Sequence, residues 1–208
     1  WAELRPRCPV ARTERFGGAT MVLNAADLKA VVYDPETFSS RRVTLFDEVP
    51  ERLLVQPPIG LDPPEHMPHR KVLLPAFTPT AVARLTPATA AYCHELIDAF
   101  IEAGEADAAI DYARHIPVHV TAELLGFPVS DGDRFRTWVH EYVELGPTDS
   151  EAAARAGREM LAYFREQLAS RRMEPRDDLT TLVAQAMIGA EPMPERTQAL
   201  TLLTLLTG

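Results

Sequence analysis

From Ala199 the chain reads Ala-Leu-Thr-Leu-Leu-Thr-Leu-Leu-Thr-Gly, placing apolar residues in almost every direction around a helix. A helix of that kind must be buried on all sides. Its threonines at 201, 204 and 207 form a narrow stripe, which predicts close packing with each hydroxyl bonded back to a carbonyl one turn earlier. Pro194 marks the first turn of this element. Upstream, Glu151 to Arg172 carries Met160, Leu161, Phe164 and Leu168 on one face and ends on Arg171-Arg172, favourable for the helix dipole. Asp131 to Leu145 predicts a helix with Trp138 and Tyr142 in the core, joined to the next by Gly146-Pro147-Thr148-Asp149-Ser150. Asp178 caps a shorter helix expected to run to Met187, with a break at Gly189, Pro192 and Pro194. After Pro79 comes a long helical stretch in which Leu96, Ile97, Phe100 and Ile101 predict a buried stripe, ended by Gly104. Ala108 to Phe127 is helical and stops at Gly126-Phe127-Pro128.

The front of the chain is less helical. Trp1 to Val10 reads as an irregular lead-in, and Phe16 to Leu23 as a glycine turn feeding a short β-prone run. Asn24 then caps a helix, with Asp27 at its third position and an end near Tyr33. Ser39 to Leu61 shows no sustained period, and Leu53, Leu54, Val55 and Ile59 have no periodic face there. They either tuck into the core or line a functional loop. The predicted class is mainly α with a small β component.

Asp62-Pro63-Pro64-Glu65-His66-Met67-Pro68-His69-Arg70 combines a helix start with donors for an anion. Asp62 suits the N-cap, Pro63 the first helical position and Glu65 the third, as in a capping box. His66 and Arg70 are four apart and share one helix face, where imidazole and guanidinium can hold a carboxylate or phosphate. A solvated helix face carries the same pattern, so the residues alone leave both readings open. Pro68 and Pro75 fall inside the helix expected to start here and leave the aim of Arg70 open.

The net charge of −9 lies entirely after Gly60, the residues before it being balanced. That acidity argues against nucleic acid as a partner. Cys8 and Cys93 are too few for a disulfide scaffold. No apolar run approaches the roughly 18 residues of a membrane span, so a soluble, cytoplasmic protein without membrane contact is expected. No G-x-G-x-x-G follows the β-prone run. Cys93-His94 points to two faces and reads as structural filler. His115 and His119 have metal-ligand spacing but no third ligand cluster, so no metal site is assigned.

Asp-Pro-Pro-Glu-His, then Arg70 and Ala76-Phe77-Thr78-Pro79, closely resembles the C-helix region of bacterial cytochromes P450. Further tags fall in that family's order: Phe38-Ser39-Ser40 near the end of its B-helix region, Ala122 to Pro128 at its E-helix end, Asp177-Asp178-Leu179 after its G helix, and Leu202 to Gly208 at the start of its I helix. The resemblance implies a cytochrome P450 fold, N-terminal half only, with residues 1–208 forming part of a single domain. It also implies heme b (protoporphyrin IX iron), with His66 and Arg70 hydrogen-bonding the propionates. Leu54 and Ile59 in the matching B–C loop, and Leu203, Leu206 and Thr207 on the I-helix face, would border substrate. Gly146 and Pro147 would lie at a hinge of the helix pair that roofs the site.

The implied activity is that of a heme-thiolate monooxygenase placing one oxygen atom from O2 into a small organic substrate, apolar or aromatic. A ferredoxin or flavin reductase would donate the electrons, and the protein would act as a monomer. Neither Cys8 nor Cys93 sits in a heme-ligand loop, and the family's acid–alcohol pair would lie just past Gly208. The axial cysteine and catalytic residues are therefore expected outside this chain, in a functional unit with more polypeptide. Alternatives are a non-enzymatic helical ligand-binding module of regulator type, and a P450-like heme protein with non-hydroxylating chemistry.

Overall fold

A computed structural model describes residues 3–43 and 55–208. The chain opens with an antiparallel hairpin, β1 (Val10–Thr13) and β2 (Ala19–Val22), in the register Val10↔Val22 to Thr13↔Ala19. β1 follows directly on the irregular lead-in, a strand that the residue pattern did not mark because four residues are too few to show an alternating period. Asn24 caps α1 (Ala25–Val32) by accepting from the Asp27 amide at 2.8 Å, and Tyr33 closes it, as expected.

Among the described residues seven further helices follow: α2 (His66–Leu73), α3 (Pro79–Phe100), α4 (His115–Leu125), α5 (Gly132–Val139), α6 (Ser150–Met173), α7 (Leu179–Ala184) and α8 (Glu195–Thr207). Between α7 and α8 a two-stranded hairpin, β3 (Met187–Ile188) and β4 (Glu191–Pro192), turns at Gly189. Gly189 has φ 65°, a left-handed conformation that glycine adopts without a Cβ penalty. The helix expected to reach Met187 therefore ends three residues early, at Ala184. β-hairpins this short leave no periodic signature.

The core lies among α4, α5, α6, α7 and α8. Met160, Phe164 and Leu168 of α6 are fully buried, and Phe127, Phe135, Trp138, Tyr163 and Phe164 pack as one aromatic cluster. Tyr163 donates to Asp131 at 2.8 Å and Trp138 Nε1 donates to Glu159 at 2.8 Å, so the polar tips of these rings are satisfied. Burial and the Asp131 carboxylate push the Tyr163 phenol well above its ordinary range. In α8 every residue from Gln198 to Thr204 is buried, and the hydroxyls of Thr201, Thr204 and Thr207 donate to carbonyls four residues back at 2.8, 3.0 and 2.9 Å. The all-round apolar pattern and the threonine stripe both have the consequence expected of them.

A buried ion pair ties the ends of three helices together. Arg171, 1% exposed near the end of α6, donates to Asp178 at 2.7 Å and to the carbonyl of Gly126. Asp178 also caps α7 by accepting from Thr181, and Thr180 donates to the Leu125 carbonyl at 2.6 Å. Gly126 ends α4 at φ 73°, and a Cβ there would overlap the Asp178 carboxylate. Only glycine satisfies both constraints.

The stripe on α3 is not buried as expected. None of its 22 residues is buried, and Ile101 just beyond is 61% exposed. Among the described residues this helix packs mainly on α4, the segment Leu74–Phe77 and the π-helical turn Ala108–Ala113, which leaves the rest of its circumference open.

Candidate functional site

The helix carrying His66 and Arg70 starts later than its sequence suggests. α2 begins at His66, and Asp62 does not cap it. The Asp62 carboxylate instead accepts from the Ser39 hydroxyl at 2.6 Å and the Ser40 amide at 2.7 Å, with Arg41 at 3.5 Å. These donors, the Ser39 hydroxyl foremost, hold its carboxyl below the usual aspartate range. An acceptor engaged this way has no lone pair aimed at the first turn. The later start also resolves the proline conflict. Pro68 is the third helical residue, where a backbone N–H would lack an intrahelical partner anyway, so α2 proceeds without a break to Leu73. Pro75 falls in the separate 3₁₀ segment Leu74–Phe77.

His66, Arg70 and Leu73 lie along one side of α2, since seven residues make nearly two turns. Leu73 is 6% exposed in the core cluster, which anchors this side. His66 is partly buried and Arg70 exposed, and neither side chain is hydrogen-bonded or ion-paired among the described residues. The nearest acids in sequence are engaged elsewhere: Asp62 by Ser39, Ser40 and Arg41, and Glu65 by Arg41 at 4.0 Å. His69 is turned back onto the Glu65 carbonyl at 2.8 Å. α2 therefore presents one guanidinium and one imidazole, a turn apart and unspent. That donor set fits a dianionic edge such as a pair of carboxylates.

The segment before α2 is organised around a residue that sequence reading passed over. Gln56 is buried and its amide nitrogen donates to the Tyr142 hydroxyl at 2.9 Å. Pro57, Pro58 and Gly60 are buried with it, and a Cβ at Gly60 would sit 2.8 Å from the backbone nitrogen of Gln56. Ile59, between them, is 47% exposed at the apex of the turn. Tyr142 belongs to a π-helical turn, His140–Glu144, continuing α5. A lone glutamine in a proline-rich stretch has no period to flag it, and only the fold brings it to a residue 86 positions away.

Leu54 lies outside the described residues. Leu203 and Leu206 are buried in the core cluster on α8, and Thr207 is partly buried at the end of that helix. Gly146 and Pro147 form the turn between the Tyr142 segment and α6. Among the described residues no group of three or more His, Cys, Asp or Glu is placed to hold a metal ion. His115 is bonded to the Ile110 carbonyl at 2.9 Å, and His119 stacks on Tyr92 with 3.7 Å between ring centroids. No described helix is long and apolar enough to cross a membrane.

No family model matches the chain. It is 30% identical over 200 residues to the mycinamicin IV hydroxylase/epoxidase of Micromonospora griseorubida, covering 94% of this chain and 50% of that protein. To the erythromycin C-12 hydroxylase of Saccharopolyspora erythraea it is 32% identical over 204 residues, covering 94% and 49%. The solved structure of a post-tailoring hydroxylase of himastatin biosynthesis superposes with a TM-score of 0.77 at 33% identity, over 97% of this chain and 50% of that one. The chain spans about half the length of the curated relatives it matches. These relatives lend no support to a regulator-type binding module.

Proposed function

Because the chain belongs to the cytochrome P450 family, matching its N-terminal half, we propose that it supplies the propionate anchors and part of the substrate cavity of a heme-thiolate monooxygenase. The observation that carries this reading is the unspent His66–Arg70 pair on α2, with its acidic neighbours held by Ser39, Ser40 and Arg41. Bound heme with an axial cysteine thiolate activates O2 for transfer of one oxygen atom. The chain spans about half the length of its relatives, and in this reading the thiolate would come from the part of the fold it does not span.

Arg70 would hold a propionate, since a guanidinium can offer a carboxylate two donors, and His66 would add a third donor from one turn earlier. Together they would orient the porphyrin edge and offset its negative charge. The buried α8 forms a rigid wall, its threonine hydroxyls already spent on their own backbone. By family resemblance Leu203, Leu206 and Thr207 would border substrate, together with Ile59 and Leu54. Aliphatic lining of this kind accepts an apolar or aromatic molecule and excludes water from the reacting centre. Electrons are supplied by a ferredoxin or flavin reductase, and the assembled protein is a cytoplasmic monomer.

The test is heme retention in the heme-loaded functional unit. The wild type should show a Soret band that shifts when the reduced sample meets carbon monoxide. Arg70→Ala should lose at least about tenfold in heme affinity, as expected for removing a charge-assisted bidentate contact. Full heme occupancy in that variant would count against the assignment.

A further inference from the structure

The turn ahead of α2 is closed on itself. The Gly60 amide donates to the Gln56 carbonyl at 2.7 Å, and the Leu61 amide to the Pro58 carbonyl at 3.2 Å. Any Cβ at Gly60 would press on the Gln56 backbone, so this tight form needs glycine there. Gln56 to Leu61 is therefore a small rigid unit, from which Ile59 stands out. No other side chain from Val55 to Leu61 carries a polar atom, so the Gln56 amide is the one side-chain group there that can make a directional bond. It is buried, and it spends that bond on the Tyr142 hydroxyl.

The far end of this tie is fixed. On either side of Tyr142 the chain is pinned to α6, where Trp138 donates to Glu159 and Arg155 to Glu141, both at 2.8 Å. Gly157 of α6 is buried under the Tyr142 ring, and a Cβ there would stand 3.2 Å from Cε2. Glycine inside a helix is unfavourable beside alanine, and here it makes room for the ring. Burial pushes the Tyr142 phenol above its ordinary range, so the pair is uncharged at neutral pH and its bond carries direction rather than charge. Apolar burial holds Pro57 and Pro58 on the core without fixing their orientation, because it is non-directional. A hydrogen bond weakens steeply when misaligned, so it does fix orientation.

We propose that Gln56 and Tyr142 are positioning residues, whose bond sets the aim of Ile59 and with it the size of the apolar molecule accepted. The proposal rests on the reading above that Ile59 borders substrate, and adds to it what holds Ile59 in place.

Hydrogen exchange on the full chain tests the tie directly. Gln56→Met and Tyr142→Phe each break the bond with little change of volume. Each should speed exchange of the Gly60 and Leu61 amides at least about tenfold, with α6 unchanged. In the double variant both partners of the bond are gone, so its Tm should rise above that of either single variant. The two amides should stay fast in it, which a role in packing alone would not give. The second readout is the ratio of affinities of the heme-loaded functional unit for naphthalene and biphenyl. Ile59→Ala should change that ratio at least about tenfold. The three tie variants should move it in the same direction, with heme uptake unchanged.

Unmoved amides in both single variants would overturn the proposal, as would a double variant that regains protection along with its Tm. So would an affinity ratio that answers to Ile59→Ala and to none of the tie variants. Fast amides in variants of a protein that takes up no heme support the tie and count against the monooxygenase reading alone.

Discussion

Asp62 shows how a single side chain can change its task between sequence and fold. Its residue type and position suit an N-cap, yet its two oxygens are taken by Ser39 and Ser40, so it clasps the chain 22 to 23 residues upstream. Because these donors depress its folded pKa, the clasp is fully present above the ordinary aspartate value of 3.8 and is lost only as pH falls through the lower folded value. A pH titration of the Asp62 carboxyl carbon and the Ser40 amide by NMR should show both moving together, below the range of a free aspartate. In Asp62→Asn the Ser40 amide should not titrate there. Arg171 is the second case. Its side chain is 2% exposed and its partner Asp178 7%, so Arg171→Ala strands a buried carboxylate and removes the bond to the Gly126 carbonyl. A loss of about 3–5 kcal/mol is expected by urea denaturation. A loss under about 1 kcal/mol would show that water reaches Asp178.

Helices of similar length differ in what supports them. α6 buries nine of its residues, Ala152 to Arg171 among them, against α5, α7 and α8, whereas α3 buries none. Amide exchange follows burial and the cost of local opening rather than helix length. Hydrogen exchange on the isolated chain should therefore find α3 exchanging well before α6, although both exceed 20 residues. Leu202 belongs to the same scale. It is fully buried in α8, and Leu202→Ala should cost about 2–5 kcal/mol.

Across the whole molecule, stability is concentrated between α4 and α8, and the N-terminal part is lightly held. α1 has no buried residue, and the hairpin β1–β2 pairs chiefly with itself. Limited proteolysis should trim residues 3–43 before it cuts within residues 115–207. Early cleavage inside α6 or α8 would contradict this ordering.

The helices of the core were legible in the residue pattern because burial on one side imposes a 3.6-residue period, and burial on all sides an unbroken apolar run. α8 with its threonine back-bonds, the Met160–Leu168 face, the Asn24 and Asp178 caps and the stop at Gly126 each follow from local chemistry. The strand β1, the hairpin β3–β4, the late start of α2 and the Gln56–Tyr142 bond do not, since each depends on a partner distant in sequence or on a turn too short to carry a period. The His66–Arg70 spacing could be read directly. That the pair is unspent could not, because it follows from Ser39, Ser40 and Arg41 folding back onto Asp62 and Glu65. Periodicity determines which faces seek cover, and only the packed chain decides which donors remain free once that cover is found.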